Sequence, residues 1–133
     1  MNLMLAPGIL ENAIDHAKAC YPNEGCGLVV GREAGERFIP MTNVSGSASR
    51  FEMDAGELIN SLRDMRGRGE ELIAIYHSHP HGSAEPSKTD IEQAHYPEAA
   101  HLIISLGALE RPQAAAFRIV DGEVLGIEVH VIV

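Results

Sequence analysis

The chain is poor in basic residues, in cysteine and in long apolar runs, and each shortage removes a class of function. Ten Lys and Arg stand against nineteen Asp and Glu, a net charge of -9. Nucleic-acid binding relies on cationic patches meeting phosphates, so this balance argues against it, and an anionic membrane surface is disfavoured for the same reason. No apolar run approaches the roughly 20 residues of a spanning helix, and no basic N-terminal region leads into a long apolar stretch. A cytoplasmic protein is therefore expected. Two cysteines are present, Cys20 and Cys26, and in a reducing compartment they are expected as free thiols. Cys26, between Gly25 and Gly27, has no base beside it in sequence, so a small buried residue is the better reading than a nucleophile. Repeats, low-complexity tracts and linkers are missing as well. A length of 133 residues suits one domain, 1–133, with a single core.

The residues that are present pattern into helices and strands. Leu3, Met4 and Leu5 read as an edge strand. Ile9, Leu10, Ala13, Ile14 and Ala17 recur at helical steps, predicting an amphipathic helix over 9–20 that Pro22 ends. Leu28 to Val30 and residues 37–41 read as neighbouring strands joined at Ala34-Gly35. Residues 42–50, rich in Ser, Gly and Asn, read as a mobile loop, and 51–53 as a short extended piece. Asp54 is a predicted N-cap for a helix over 55–66, with Glu57 completing a capping box. Leu72 to Ile75, His101 to Leu106, 113–120 and 124–133 read as further strands, with a hairpin at Asp121-Gly122. The expected fold is α/β in the α+β sense, a mixed sheet with about three helices packed on it.

The chemistry gathers in Tyr76-His77-Ser78-His79-Pro80 and in Ser87 and Asp90 beyond it. On a strand, residues two apart point to the same side, so His77 and His79 can bind one ion together. Ser87 reads as the N-cap of a helix running to about Tyr96, before Pro97, and that helix could swing Asp90 over the histidines. Two imidazoles and a carboxylate form a ligand set for a divalent metal that leaves one position for water. Ser87 could serve as a cap, as a catalytic hydroxyl, or as both. Glu24, at the entrance of the strand after Gly25, is by position a turn residue; beside a metal-activated water it could be a general base. His81 could touch substrate but reads more simply as a loop residue, and His95 as a helix-surface residue.

Glu24, the E-G-C-G-L segment, the string H-S-H-P, then seven residues, Ser87, two residues and Asp90 together resemble the JAMM motif of the MPN-plus (Mov34/MPN/PAD-1) metallopeptidases. The resemblance covers essentially the whole chain. It implies an MPN-type, cytidine-deaminase-like fold and one zinc ion per chain, bound by His77, His79 and Asp90. It also implies Glu24 as general base and Ser87 as a stabiliser of the developing oxyanion.

The chain's small size resembles the prokaryotic members. They imply as substrate a ubiquitin-like sulfur-carrier protein ending in Gly-Gly, for example one that releases cysteine during cysteine biosynthesis. An isopeptidase removing ubiquitin-like modifiers from lysine is the alternative. Two readings from other classes stand beside these: a non-haem iron oxygenase, since two histidines and a carboxylate also form a facial triad, and a non-catalytic MPN scaffold. The oligomeric state, monomer or homodimer, stays open.

Overall fold

The computed structural model describes residues 2–108 and 110–133. Its elements run β1 (Asn2–Leu5), α1 (Ile9–Cys20), β2 (Cys26–Gly31), β3 (Arg37–Met41), α2 (Ala55–Gly67), β4 (Glu71–His79), α3 (Lys88–Glu92), β5 (Ala100–Ser105), β6 (Gln113–Val120) and β7 (Glu123–Val131). The strands form one mixed sheet in the order β1-β7-β6-β5-β4-β2-β3. β4 lies between β2, to which it is antiparallel, and β5, to which it is parallel. Both faces of these strands are covered, and that is why they read as apolar runs rather than as alternating ones.

Side chains leave β4 alternately to two cores. Ala74 and Tyr76 join Leu5, Val29, Leu102 and Ile104 in the core beneath α1, which contributes Ile9, Ala13 and Ala17. Ile75 joins Cys26, Leu28, Val30 and Met41 on the opposite face, where α2 adds Met65. Each fully buried Leu or Ile in such a core contributes about 1.5–3 kcal/mol. The sheet curls. β1 ends the strand order, as expected of an edge strand, yet the Gly35 N–H donates to the Met4 carbonyl and the Ala6 N–H to the Gly35 carbonyl, each at 2.8 Å. The turn between β2 and β3 thus covers the edge that β1 would otherwise expose. At the β6–β7 hairpin Asp121 and Gly122 have φ of 52° and 79°, the pair of left-handed conformations that a two-residue primed turn requires.

Three expectations need correction. The helix beginning at Ser87 is five residues long and ends at Glu92, well short of Tyr96. Tyr96 precedes Pro97, which disfavours helix there, and its ring packs instead against the core on the α2 side. His95 is exposed, as expected, but lies beyond the helix. The capping box of α2 is half formed. Asp54 accepts the Glu57 N–H at 2.9 Å, while the Glu57 carboxylate takes the Thr42 N–H at 2.8 Å and the Thr42 hydroxyl at 2.7 Å, tying α2 to the end of β3. Residues 42–50 form a loop as expected, but one with an internal framework centred on Asn43.

Among the described residues no helix is long and apolar enough to cross a membrane. Leu102, fully buried on β5, tests the core: Leu102→Ala is expected to lower the unfolding free energy by about 2–5 kcal/mol in urea titration.

Candidate metal centre and active site

β4 runs four residues past the apolar stretch Leu72–Ile75 and delivers His77 and His79 at its carboxyl end, on the Ile75 face. Their Nε2 atoms lie 3.1 Å apart. Asp90 Oδ2 is 3.1 Å from His77 Nε2 and 3.0 Å from His79 Nε2. The local cause is the capping box of α3. Ser87 Oγ accepts the Asp90 N–H at 3.1 Å, and the Ser87 N–H donates to Asp90 Oδ2 at 2.8 Å. Capping the helix and aiming the carboxylate at the histidines are one arrangement. The Ser87 hydroxyl acts here as an acceptor, so its own proton is free to donate elsewhere.

The triangle has the chemistry of a cation site. His79 Nδ1 lies 2.7 Å from the Ser83 carbonyl, which can only accept, so Nδ1 carries the proton and Nε2 of the neutral ring presents a lone pair. That lone pair faces a carboxylate oxygen and a second imidazole nitrogen. Imidazole protons cannot satisfy all three sides without charging a ring, whereas one cation among the three atoms can. Tetrahedral bonds of 2.0–2.2 Å place ligand atoms roughly 3.3–3.6 Å apart, close to the observed spacing. Among the described residues these three form a group able to hold a metal ion, and all three are buried. Burial alone would raise the Asp90 carboxyl, but the His77 and His79 rings beside it and the Ser87 N–H hold it well below the usual carboxylate range. Burial keeps the His77 ring neutral. For His79 the same burial effect is outweighed by Asp90 and the Ser83 carbonyl, and its pKa is raised.

Glu24 is brought to the same place from the amino end of β2. It is 3% exposed, and its Oε1 has no hydrogen-bond partner among the described residues. Burial pushes its pKa up to about 7, a rise opposed by His79 and reinforced by Asp90. Its backbone is fixed on both sides: the Glu24 N–H donates to the Ser47 carbonyl at 2.8 Å, and Asn43 Nδ2 donates to the Glu24 carbonyl at 3.0 Å. Next to it, the Gly25 N–H donates to Ser78 Oγ at 2.7 Å, and the Ser78 N–H donates to the Gly25 carbonyl at 3.0 Å. A Cβ at Gly25 would come within 2.6 Å of the Tyr76 hydroxyl, so the residue after Glu24 has to be glycine for the loop to lie this close to β4.

Four residues of this neighbourhood were not singled out from the sequence. Ser78 sits between the two histidines and faces the other way; a polar residue at a core-facing strand position was the available signal. Asn43 donates to the carbonyls of Glu24 and Arg50, while its Oδ1 accepts from the Ser45 N–H and hydroxyl and from the Glu52 N–H. Phe51 stacks on the His77 ring at 4.7 Å. His101 is buried on β5 with Nε2 unpartnered among the described residues, its pKa pushed down to about 4 by burial and then by His77. No local pattern distinguishes Asn43, Phe51 or His101 from an ordinary loop or strand residue.

Other candidates separate from the site. His81 lies on the exposed loop after the histidines, its ring 5.5 Å from that of Tyr21. Cys20 and Cys26 are free thiols. Cys26 is fully buried, and burial pushes its pKa up to about 12, which leaves it unsuited to nucleophilic attack. Beside His77 and Asp90 opens a cavity of about 390 Å³ whose apolar lining includes Leu28, Phe51, Leu58 and Ile75.

Residues 7–120 match the family of prokaryotic homologues of the JAB domain. The chain belongs to this family. It is a JAMM-type peptidase, as the motif resemblance implied, and the iron-oxygenase and non-catalytic scaffold readings fall away. The CysO-cysteine peptidase of Mycobacterium tuberculosis is 35% identical over 98% of this chain and 91% of its own length. A probable TtuB-protein conjugate cleaving protease of Thermus thermophilus is 40% identical over 71% of this chain and 64% of its own length. Protein DSY2949 from Desulfitobacterium hafniense, known by solution structure, superposes with a TM-score of 0.86 at 34% identity, covering 99% of this chain and 93% of that one.

The Asn43 framework gives a direct test. Asn43→Ala removes the side chain that links the Glu24 carbonyl to the loop, and we expect turnover to fall by about tenfold or more, since small displacements of catalytic groups cost up to about a hundredfold. Steady-state kinetics with a circular-dichroism check of folding measures this.

Proposed function

We propose that this chain is a zinc-dependent peptidase that hydrolyses the amide bond after the C-terminal Gly-Gly of a ubiquitin-like sulfur-carrier protein and releases a C-terminal cysteine. The observation that carries the reading is the triangle of His77, His79 and Asp90 with the buried, unpartnered Glu24 carboxylate beside it. The likeness to a CysO-cysteine peptidase over nearly the full length of both chains supports the substrate class.

His77, His79 and Asp90 would hold the ion, one per chain. When bound, zinc lowers the pKa of water towards about 7 and polarises a carbonyl. The remaining work belongs to the chain's own groups. Glu24 takes a proton from the attacking water and passes it to the departing amine, a role suited to a carboxylate whose burial has moved its pKa near neutrality. Ser87 donates a hydrogen bond from its hydroxyl to the carbonyl oxygen as negative charge develops there. Phe51, stacked on His77, and the apolar cavity wall limit access of bulk water. Glycines on the acyl side ask for no side-chain pocket and allow an extended tail to lie close to the ligands. We take residues 1–133 to form one domain and expect it to act in the cytoplasm.

The second reading is isopeptide cleavage from lysine, favoured by the Thermus relative named for cleaving protein conjugates. Incubating the zinc-loaded protein with a carrier ending in Gly-Gly-Cys and measuring intact mass separates the two. Loss of one cysteine, blocked by a chelator, is expected. An intact carrier alongside cleavage of a lysine-linked conjugate would overturn the peptidase reading in favour of the isopeptidase.

The assigned roles make distinct predictions. Glu24→Gln is expected to keep one zinc per chain, measured by elemental analysis, and to lose turnover. Asp90→Ala is expected to lose both. Ser87→Ala is expected to turn over about 10²–10³-fold more slowly, with a stability loss of about 0.5–2 kcal/mol from the missing cap that thermal unfolding reads separately.

A further inference from the structure

The cavity beside the metal ligands holds an arginine that the proposed chemistry does not use. Among the described residues lining it, Arg50 is the one Lys or Arg. Its guanidinium makes no hydrogen bond or ion pair with any described residue. Arg37 pairs with Glu70 and Asp64, Arg68 with Asp64, and Arg32 and Arg118 donate to backbone carbonyls, while Arg63, Arg66 and Arg111, like Arg50, make no side-chain hydrogen bond or ion pair with a described residue. Arg50 differs from those three in lining the cavity beside the metal ligands.

The backbone of Arg50 is nevertheless held in place. Its carbonyl accepts from Asn43 Nδ2 and from Ser45 Oγ, each at 3.2 Å. The next residue, Phe51, is stacked on the ligand ring of His77. Arg50, an exposed residue, is therefore anchored through its backbone one position before the ring that stacks on His77, and it lines the same cavity. Of the acids lining that cavity, Asp90 is committed to the histidines and the Ser87 N–H. Glu52 forms no ion pair with Arg50.

We propose that Arg50 is a specificity-determining residue that binds the α-carboxylate of the amino acid released. The inference rests on the peptidase reading above. In a carrier ending in Gly-Gly-Cys, the carboxylate sits on the Cα of the residue whose nitrogen leaves, two bonds of about 1.5 Å each from that nitrogen. The planar fork of arginine matches a carboxylate through two parallel N–H···O bonds. A lysine side chain leaving from an isopeptide bond carries no carboxylate at that distance. Arg50 thereby selects for a free C-terminal amino acid and against a protein-linked lysine.

Two carriers test this, one ending in Gly-Gly-Cys with its free acid and one with a C-terminal carboxamide. Each is cleaved by zinc-loaded wild type, Arg50→Met and Arg50→Lys. On the free acid, Arg50→Met is expected to lose about 10- to 100-fold in kcat/KM, the range for hydrogen bonds to a charged group, mainly through KM. Arg50→Lys is expected to recover part of that loss. On the carboxamide the gap between wild type and Arg50→Met is expected to close to within about twofold, as non-interacting changes do. An equal loss on both carriers, or none on either, overturns the role of Arg50 and leaves the peptidase standing. Wild type that cleaves neither carrier but opens a lysine-linked conjugate overturns both.

Discussion

One carboxylate oxygen holds the site together. Asp90 Oδ2 is desolvated, faces two imidazole nitrogens at 3.0 and 3.1 Å, and accepts the Ser87 N–H at 2.8 Å. A buried carboxylate is tolerated when it is paired and hydrogen-bonded, and costs several kcal/mol when it is not. This atom therefore couples the short helix α3 to the end of β4, two pieces with little else to fix their relation. A helix of five residues has almost no stability of its own. Its cap, its acidic third residue and the histidines opposite make it persist.

The period of two along β4 divides the labour of the active site. His77 and His79 point to the Asp90 side, while Ser78 and Tyr76 point to the other. Ser78 uses that side to receive the Gly25 N–H, so the strand that carries the two histidines also fixes the backbone next to Glu24. Slipping the register of β4 by one residue would exchange the two sets of side chains. Pairing with β2 on one side and β5 on the other, together with two apolar cores above and below, prevents this. Much of the precision of the site thus comes from the same burial that stabilises the fold.

On the cavity side the segment after β3 serves a comparable purpose. Asn43 gathers the carbonyls of Glu24 and Arg50 and the N–H groups of Ser45 and Glu52 around a single amide. It turns a stretch of Ser and Gly into a defined wall and sets Phe51 against His77. Glu24, the stacked ring and Arg50 are consequently placed by one side chain that has no chemistry of its own.

Much of this was legible in one dimension. The helices over 9–20 and 55–66, the buried strands and the Asp121-Gly122 turn follow from periodicities and turn chemistry that act within a few residues. So does Ser87 as a cap with Asp90 at its third position, because a capping box is a local motif. The placement of His77 and His79 on one side of a strand is equally local. Tertiary structure decided the rest. Tyr96 left the helix because Pro97 and a distant core competed for it, and Glu57 gave up its capping box for Thr42. Asn43, Phe51, Ser78 and His101 gained their places by packing against residues far away in the chain. The sequence alone determined which groups could do chemistry. Only the fold decided which were buried, which were paired and which were left free, because desolvation and long-range hydrogen bonding depend on neighbours that no local spacing records.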